Sequence, residues 1–337
     1  MAAAMAGWRR GVVMFWQRTY PPATLRHSSS TAASSCIAST LYDPTRKGPP
    51  TNEMLAFMDR LRSSGGPGGS IKVARSDHDD RVLELTINHP KSRNALTGQM
   101  MMNLHDITLE LTTAKANSKF KDCCALILRG EGSSFCAGAD FHLASSIATP
   151  EQGVLMAELM TDTLTRLRRA PLITVAAIGG PAMGGGAEVA TSTDFRVMST
   201  NGKIQFIQSR MGVSCGWGGT SRLVKLVGRQ KALHLLGAAP SLDAATALEI
   251  RLVDKICDEH TDVQLAAWEF LSPFLRHTTE ALRAIKVGVA AEDLGWEQAR
   301  EVETFAFRTT WGSPANKHAL ATAKKKIRGG GEEEVNR

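Results

Sequence analysis

Leu172-Ile173-Thr174-Val175-Ala176-Ala177-Ile178-Gly179-Gly180-Pro181-Ala182-Met183-Gly184-Gly185-Gly186-Ala187-Glu188 is the stretch on which the fold turns. Its apolar run over 172–178 is strand-length and bounded by glycine and proline, so it predicts a buried strand. A glycine-rich turn then leads into a helix opening near Gly185. Three consecutive glycines at a helix start expose backbone amides with the helix dipole behind them, which suits an anion or a developing oxyanion. The spacing is neither a GxGxxG dinucleotide turn nor a P-loop. Glu188 falls in the first helical turn, where a carboxylate is either a proton-transferring group or simply an acid well placed against the dipole.

Outward from this stretch the pattern repeats. Ala125–Leu128 reads as another short buried strand, followed by the small-residue turn Ser133-Ser134-Phe135-Cys136-Ala137-Gly138-Ala139-Asp140. There the amide of Ala139 is free to face a ligand, and Asp140 reads as a helix cap or ion-pair partner more readily than as a catalyst. Two amide donors from separate strand-to-helix turns are what an oxyanion hole needs, each worth roughly 3–4 kcal/mol of transition-state stabilisation. A third glycine-rich loop, Met211-Gly212-Val213-Ser214-Cys215-Gly216-Trp217-Gly218-Gly219-Thr220, precedes another helix, with Trp217 as core or pocket wall and Met211 and Val213 as apolar lining.

The remaining elements follow the same alternation. Ile71–Ala74 and Val82–Ile87 read as a hairpin, and 97–116 as a helix with Met101, Leu104, Ile107 and Leu111 on one face. Thr149-Pro150-Glu151-Gln152 is a capping-box start, and Pro171 ends the helix it opens. Helical segments continue through 219–250 and 262–322. Strand–helix alternation with a helical C-terminal portion argues an α/β class.

The chain has 337 residues, 43% hydrophobic and 22% charged, which excludes whole-chain disorder, a collagen and a coiled coil. No run approaches the roughly 18–20 apolar residues of a membrane-spanning helix. The net charge of +7 is concentrated at the start: six basic residues against Asp43 give the first 50 residues +5 and leave +2 for the rest. A basic nucleic-acid face is therefore not called for, and Lys324-Lys325-Lys326-Ile327-Arg328 reads as a solvated helix end. The six cysteines form no CxxC pair and the nine histidines no HExxH, so neither a structural zinc nor another metal is expected. The first 42 residues lack Asp and Glu and are rich in Arg, Ser, Thr and Ala, the composition of a mitochondrial transit peptide. The expected organisation is a flexible leader and linker over 1–69, a core over 70–260, a helical region over 261–322 and a charged tail over 323–337.

Four motifs in order, Ser92-Arg93-Asn94-Ala95-Leu96, Phe135–Asp140, Gly184–Glu188 and Gly218-Gly219-Thr220, resemble the signatures of the crotonase (enoyl-CoA hydratase/isomerase) superfamily from about 70 to 320. The resemblance implies a spiral of ββα repeats, C-terminal helices that mediate trimers or hexamers, and an acyl-CoA thioester as substrate with no separate cofactor. It places the oxyanion-hole amides on Ala139 and Gly185, with Ala137 and Asp140 beside them. It also implies CoA contacts around Lys91, Arg93 and Ala95, and a weaker one at Lys286. Hydratases of the superfamily use two glutamates. Glu188 matches the first, and counting back from Gly212 puts Gln208 at the second, in a segment two residues shorter than usual. A glutamine cannot ionise. That departure, with Trp217-Gly218-Gly219-Thr220 and the late Trp311-Gly312-Ser313-Pro314-Ala315-Asn316, is similar to a branch that decarboxylates ethylmalonyl-CoA and, less readily, methylmalonyl-CoA. That branch implies the cytosol, whereas the leader composition implies mitochondria. The alternative activity is hydration or isomerisation of an enoyl-CoA.

Overall fold

A computed structural model of the chain describes residues 50–64, 68–112, 119–147, 149–258 and 260–334, with side chains as far as Lys324. Its centre is a six-stranded sheet in the order β1-β2-β3-β4-β6-β8. The strands are β1 (Ser70–Arg75), β2 (Val82–Asn88), β3 (Ala125–Gly130), β4 (Ile173–Ile178), β6 (Phe195–Ser199) and β8 (Lys255–Cys257). The first two form the expected antiparallel hairpin, with Val73 opposite Leu85, and every later pairing is parallel. Every residue of β4 is buried, as expected of a parallel strand covered on both faces.

A second, smaller layer lies beside this sheet. It consists of β5 (Pro181–Met183) paired in parallel with β7 (Lys203–Gln205), extended by the single pairings Leu96–Ala139, Cys136–Ala182 and Ile204–Leu242. Each repeat thus sends one strand into the large sheet, one short extended piece into the small layer, and then a helix. β2, Leu96 and α2 (Gly98–Thr112) make the first such unit. β3, Cys136–Ala139, α3 (Phe141–Ser146) and α4 (Pro150–Arg169) make the second. β4, β5 and α5 (Gly185–Ala190) make the third, and β6, β7 and the helices α6 (Gly219–Val227), α7 (Arg229–Ala238) and α8 (Ala244–Glu249) the fourth. Thr149 caps α4 as its sequence predicts, its hydroxyl accepting from the Gln152 amide at 3.3 Å, with Pro150 in the first turn.

One face of the sheet packs on α2 and α4 through Met100, Met101, Leu104, Met160 and Leu164. The other is covered by α9 (Val263–Leu271), whose Phe270 makes tilted ring contacts with Phe195 and Phe274. The helices α10 (Thr279–Ala290), α11 (Trp296–Thr310) and α12 (Pro314–Glu334) complete the chain.

Two boundaries differ from the expectation. The folded unit begins before Ser70, because α1 (Asn52–Ser63) packs into the main core through Phe57 and Leu61, 4% and 1% exposed, and pairs Arg62 with Asp106 of α2. The helix α12 runs on to Glu334 through much of the expected tail. The strands β5 to β8 are not among those expected from the sequence; in β6, Phe195-Arg196-Val197-Met198-Ser199 carries a charge that is in fact buried: Arg196 is 2% exposed, donating to the carbonyls of Leu252 and Thr193 and pairing with Asp254. Residues 1–49, with the leader, lie outside the described residues. No described helix is long and apolar enough to cross a membrane.

Candidate active site

The turns after β3 and β5 meet. A methyl group placed on Gly138 would lie 2.9 Å from the Gly185 nitrogen and 3.1 Å from the Met183 carbonyl, so the two backbones touch at the position Ala139 and Gly185 share. Gly138 and Gly184 both hold the left-handed conformation that glycine adopts without strain (φ 93° and 53°). The flanking amides are committed: Gly138 carbonyl accepts from Leu96, Asp140 amide donates to Leu96, and Gly184 amide donates to Gln205. The amides of Ala139 and Gly185 donate to no backbone acceptor among the described residues, and Gly185 opens α5, where a helix leaves its first N–H groups unpaired. Two such donors at one contact are what an oxyanion hole requires.

Glu188 sits one turn along the same helix and is 2% exposed. Its Oε2 accepts from the amides of Trp217 and Gly219 at 2.9 and 2.8 Å. Its Oε1 accepts from Gln208 Nε2 at 2.9 Å. Gln208, on the short turn Gln208–Met211 after β7, therefore does stand beside the first acid, as its spacing from Gly212 implied. Burial raises the Glu188 pKa above the ordinary carboxylate range, against the opposing pull of the Gly219 amide, the Arg222 charge and the Trp217 amide. Arg222 itself is held by the carbonyls of Glu188 and Trp217, and burial brings its pKa down to about 10.

Trp217 is a wall of this site. Its ring lies so close to Gly185 that a methyl there would come within 2.4 Å of it, and Gly219 is similarly required because a methyl would meet the Glu188 side chain at 2.5 Å. Met211 and Val213 are 62% and 60% exposed in the single chain rather than packed as pocket lining. The Cys215 thiol, in the same loop, is pushed up to about 12 by burial and then by the charge of Glu188.

The loop carrying Lys91, Arg93 and Ala95 borders the hole. The Ala137 amide donates to the Arg93 carbonyl at 3.0 Å, Ala95 is buried, and the Lys91 and Arg93 side chains are exposed. Arg93 and Asn94 both have positive φ (52° and 58°), a conformation that needs a surrounding brace. Asn94, which the motif alone does not mark as a site residue, is that brace: its Oδ1 accepts from the His89 amide while its Nδ2 donates to the carbonyls of Glu131 and Ser134. The sequence signal for it is the tolerance of asparagine for the left-handed region.

Two expected substrate contacts have other work. Asp140 caps α3, its Oδ1 accepting from the amides of His142 and Leu143. Lys286 does not reach outward to a phosphate: it is 5% exposed, pairs with Asp194 and donates to the Arg168 carbonyl. Asp194 in turn accepts from the Thr174 amide and hydroxyl, so Lys286 ties α10 to the start of β4. No cluster of three or more His, Cys, Asp or Glu capable of holding a metal occurs among the described residues.

The family model described as enoyl-CoA hydratase/isomerase matches residues 77–320. The chain belongs to this family. Among enoyl-CoA hydratase/isomerase relatives, the ethylmalonyl-CoA decarboxylase of Xenopus laevis is 38% identical over 260 residues, covering 77% of this chain and 84% of that protein. The human ethylmalonyl-CoA decarboxylase is 37% identical over 262 residues, covering 77% and 83%. Of solved structures, an enoyl-CoA hydratase from Bacillus anthracis shares the fold with a TM-score of 0.67 at 24% identity, covering 76% of this chain and 96% of that one. An enoyl-CoA hydratase from Thermoplasma volcanium gives 0.64 at 26% identity, covering 75% and 96%.

Proposed function

We propose that this chain is an acyl-CoA decarboxylase that removes CO2 from ethylmalonyl-CoA, and less readily from methylmalonyl-CoA, giving butyryl-CoA and propionyl-CoA. The observation that carries the reading is that Glu188, on the helix opened by Gly185, has a neutral amide, Gln208, and not a second carboxyl group, against its Oε1. Adding water across a double bond asks for two proton-handling groups, one to activate the water and one to protonate carbon. Decarboxylation asks for less. The thioester oxygen binds the amides of Ala139 and Gly185, the bond from the α-carbon to the carboxylate breaks, CO2 leaves, and its electron pair enters the thioester enolate. The α-carbon then takes one proton from Glu188, and solvent restores it.

An ionised Glu188 would repel the substrate carboxylate, so the acid must be protonated when substrate binds; its raised pKa, caused first by burial, favours that form. Trp217 packs on Gly185 and keeps water from the hole. The exposed Lys91 and Arg93, on the loop bonded to Ala137, serve the CoA phosphates. The chain works as a trimer or hexamer through its C-terminal helices, and the metabolic role is the removal of a wrongly carboxylated thioester.

The test compares ethylmalonyl-CoA, methylmalonyl-CoA and crotonyl-CoA with the full chain, following the CoA products by mass spectrometry. Butyryl-CoA from ethylmalonyl-CoA, with crotonyl-CoA nearly untouched, is the expected result. Rapid hydration of crotonyl-CoA with the malonyl thioesters intact would overturn it in favour of a hydratase.

A further inference from the structure

The two oxygens of Glu188 are not equivalent. Oε2 receives two backbone N–H groups, from Trp217 and Gly219, which cannot turn round to become acceptors. A proton on Oε2 would point at one of them. Oε1 is therefore the oxygen that carries the proton, and it faces the Gln208 amide. Opposite an ionised Glu188 that amide must present Nε2, as it does. Its own Oε1 is then left buried with no hydrogen-bond partner among the described residues. A buried amide oxygen without a partner is destabilising, and a donor arriving in another state of the site removes that cost.

We propose that Gln208 is the positioning residue of the proton transfer, turning its amide from donor to acceptor as Glu188 takes up its proton and so fixing that proton on Oε1. The inference rests on Glu188 being the proton donor of the proposed reaction. In the ionised state Nε2–H donates to Glu188 Oε1. In the protonated state the amide is reversed and the Glu188 hydroxyl donates to Gln208 Oε1, which satisfies the oxygen that is otherwise orphaned. No proton is gained or lost by Gln208 in either state. When the enolate forms, the proton passes from Glu188 Oε1 to the α-carbon, the carboxylate is restored, and the amide swings back to donate. The hydrogen bond to Gln208 breaks as the proton leaves, and because the oxygen that carries it is fixed, the proton reaches one face of the enolate only.

The neutrality of Gln208 is part of the device. The groups facing Glu188 that carry or change charge are Arg222 from α6 and the Cys215 thiol from the preceding loop, whose own pKa is raised to about 12, well above the working range. A second carboxyl at 208 would couple to Glu188 across the present 2.9 Å contact, and the two would share a proton.

The test uses Gln208→Met, which keeps the bulk and removes the amide, Gln208→Glu, and Glu188→Gln. The readouts are the pH dependence of kcat and the configuration of the deuterium introduced at the α-carbon when ethylmalonyl-CoA is decarboxylated in D2O. Wild type should deliver deuterium to one face. Gln208→Met should lower kcat about tenfold with KM within about twofold and scramble the configuration. Gln208→Glu should restore stereospecificity and move the alkaline fall of kcat up by about one pH unit or more. Wild-type stereochemistry and pH profile in Gln208→Met, with Glu188→Gln strongly impaired, overturns the role of Gln208 alone. Wild-type kcat in Glu188→Gln overturns the proton-donor reading beneath it. Should methionine disturb the turn at 208, an unmoved alkaline limb in Gln208→Glu overturns the proposal by itself.

Discussion

Glu188 is held by three N–H donors, and the same three can hold a glutamine. In Glu188→Gln the new carbonyl oxygen accepts from Trp217 and Gly219, and the new Nε2 donates to Gln208 Oε1 once that amide reverses. The variant should keep its melting temperature within a few degrees while losing about 10²–10⁴-fold in kcat, as removal of a general acid does. Thermal unfolding beside steady-state assays reads both, and a collapse of stability would mark Glu188 as a structural strut. The pH dependence has a definite sign. The folded protein binds the Glu188 proton more tightly than the unfolded chain does, because burial raises its pKa. Stability from this group is therefore present at low pH and declines as pH rises through the raised value. The advantage of Glu188→Gln in stability should grow from pH 5 to pH 8. At the neighbouring thiol burial, and after it the charge of Glu188, has a chemical consequence. Cys215, pushed up to about 12, should react with iodoacetamide at pH 8 far more slowly than an ordinary exposed cysteine, timed by mass spectrometry of its peptide.

At the scale of elements, the helix α5 and the turn before it are one object. A methyl on Gly186 would fall 1.9 Å from the Cys136 carbonyl oxygen, and neither side of that contact is a flexible side chain. Gly186→Ala should push the two hole-forming turns apart, lowering stability by about 3 kcal/mol and kcat with it. Gly153→Ala, in α4 with open space around it, is the control and should be neutral or stabilising by about 1 kcal/mol. The glycines of 184–186 were legible as a ligand-facing turn because their spacing and the preceding strand constrain the backbone locally. So were the hairpin, the capped start of α4 and the strand β4, whose local chemistry and final placement agree. Lys286 and Arg196 were not. Nothing local in Ala284-Ile285-Lys286 or Phe195-Arg196-Val197 announces that a charge will be buried against Asp194 or Asp254, because those partners come from other turns of the spiral. Lys286→Met should accordingly destabilise the chain by about 3 kcal/mol, by leaving Asp194 without its cation, and leave KM for the thioester unchanged. A raised KM with intact stability would return Lys286 to the CoA site.

For the whole molecule, the spiral buries its strands on both faces, whereas the C-terminal helices leave apolar side chains uncovered. Ile285 and Val289 of α10 are 63% and 67% exposed, and Trp296 and Phe307 of α11 are 79% and 59% exposed. Between these helices lies a groove of about 840 Å³, lined by Ala284, Ile285, Val289, Trp296, Ala299 and Phe307. Apolar side chains gathered in this way on a folded surface mark a contact rather than a solvated face. A second copy of the chain is the occupant that fits a family member proposed to work as a trimer or hexamer, and closed cyclic assembly uses the same face on every subunit. Val289→Glu combined with Phe307→Glu places charges in that contact, where each is desolvated without a partner. The wild-type chain should sediment as a trimer or hexamer, and the double variant as a monomer at the same concentration. Its circular dichroism should be unchanged, since both positions are exposed within the subunit. An unaltered sedimentation coefficient for the double variant would move the assembly surface elsewhere on the spiral.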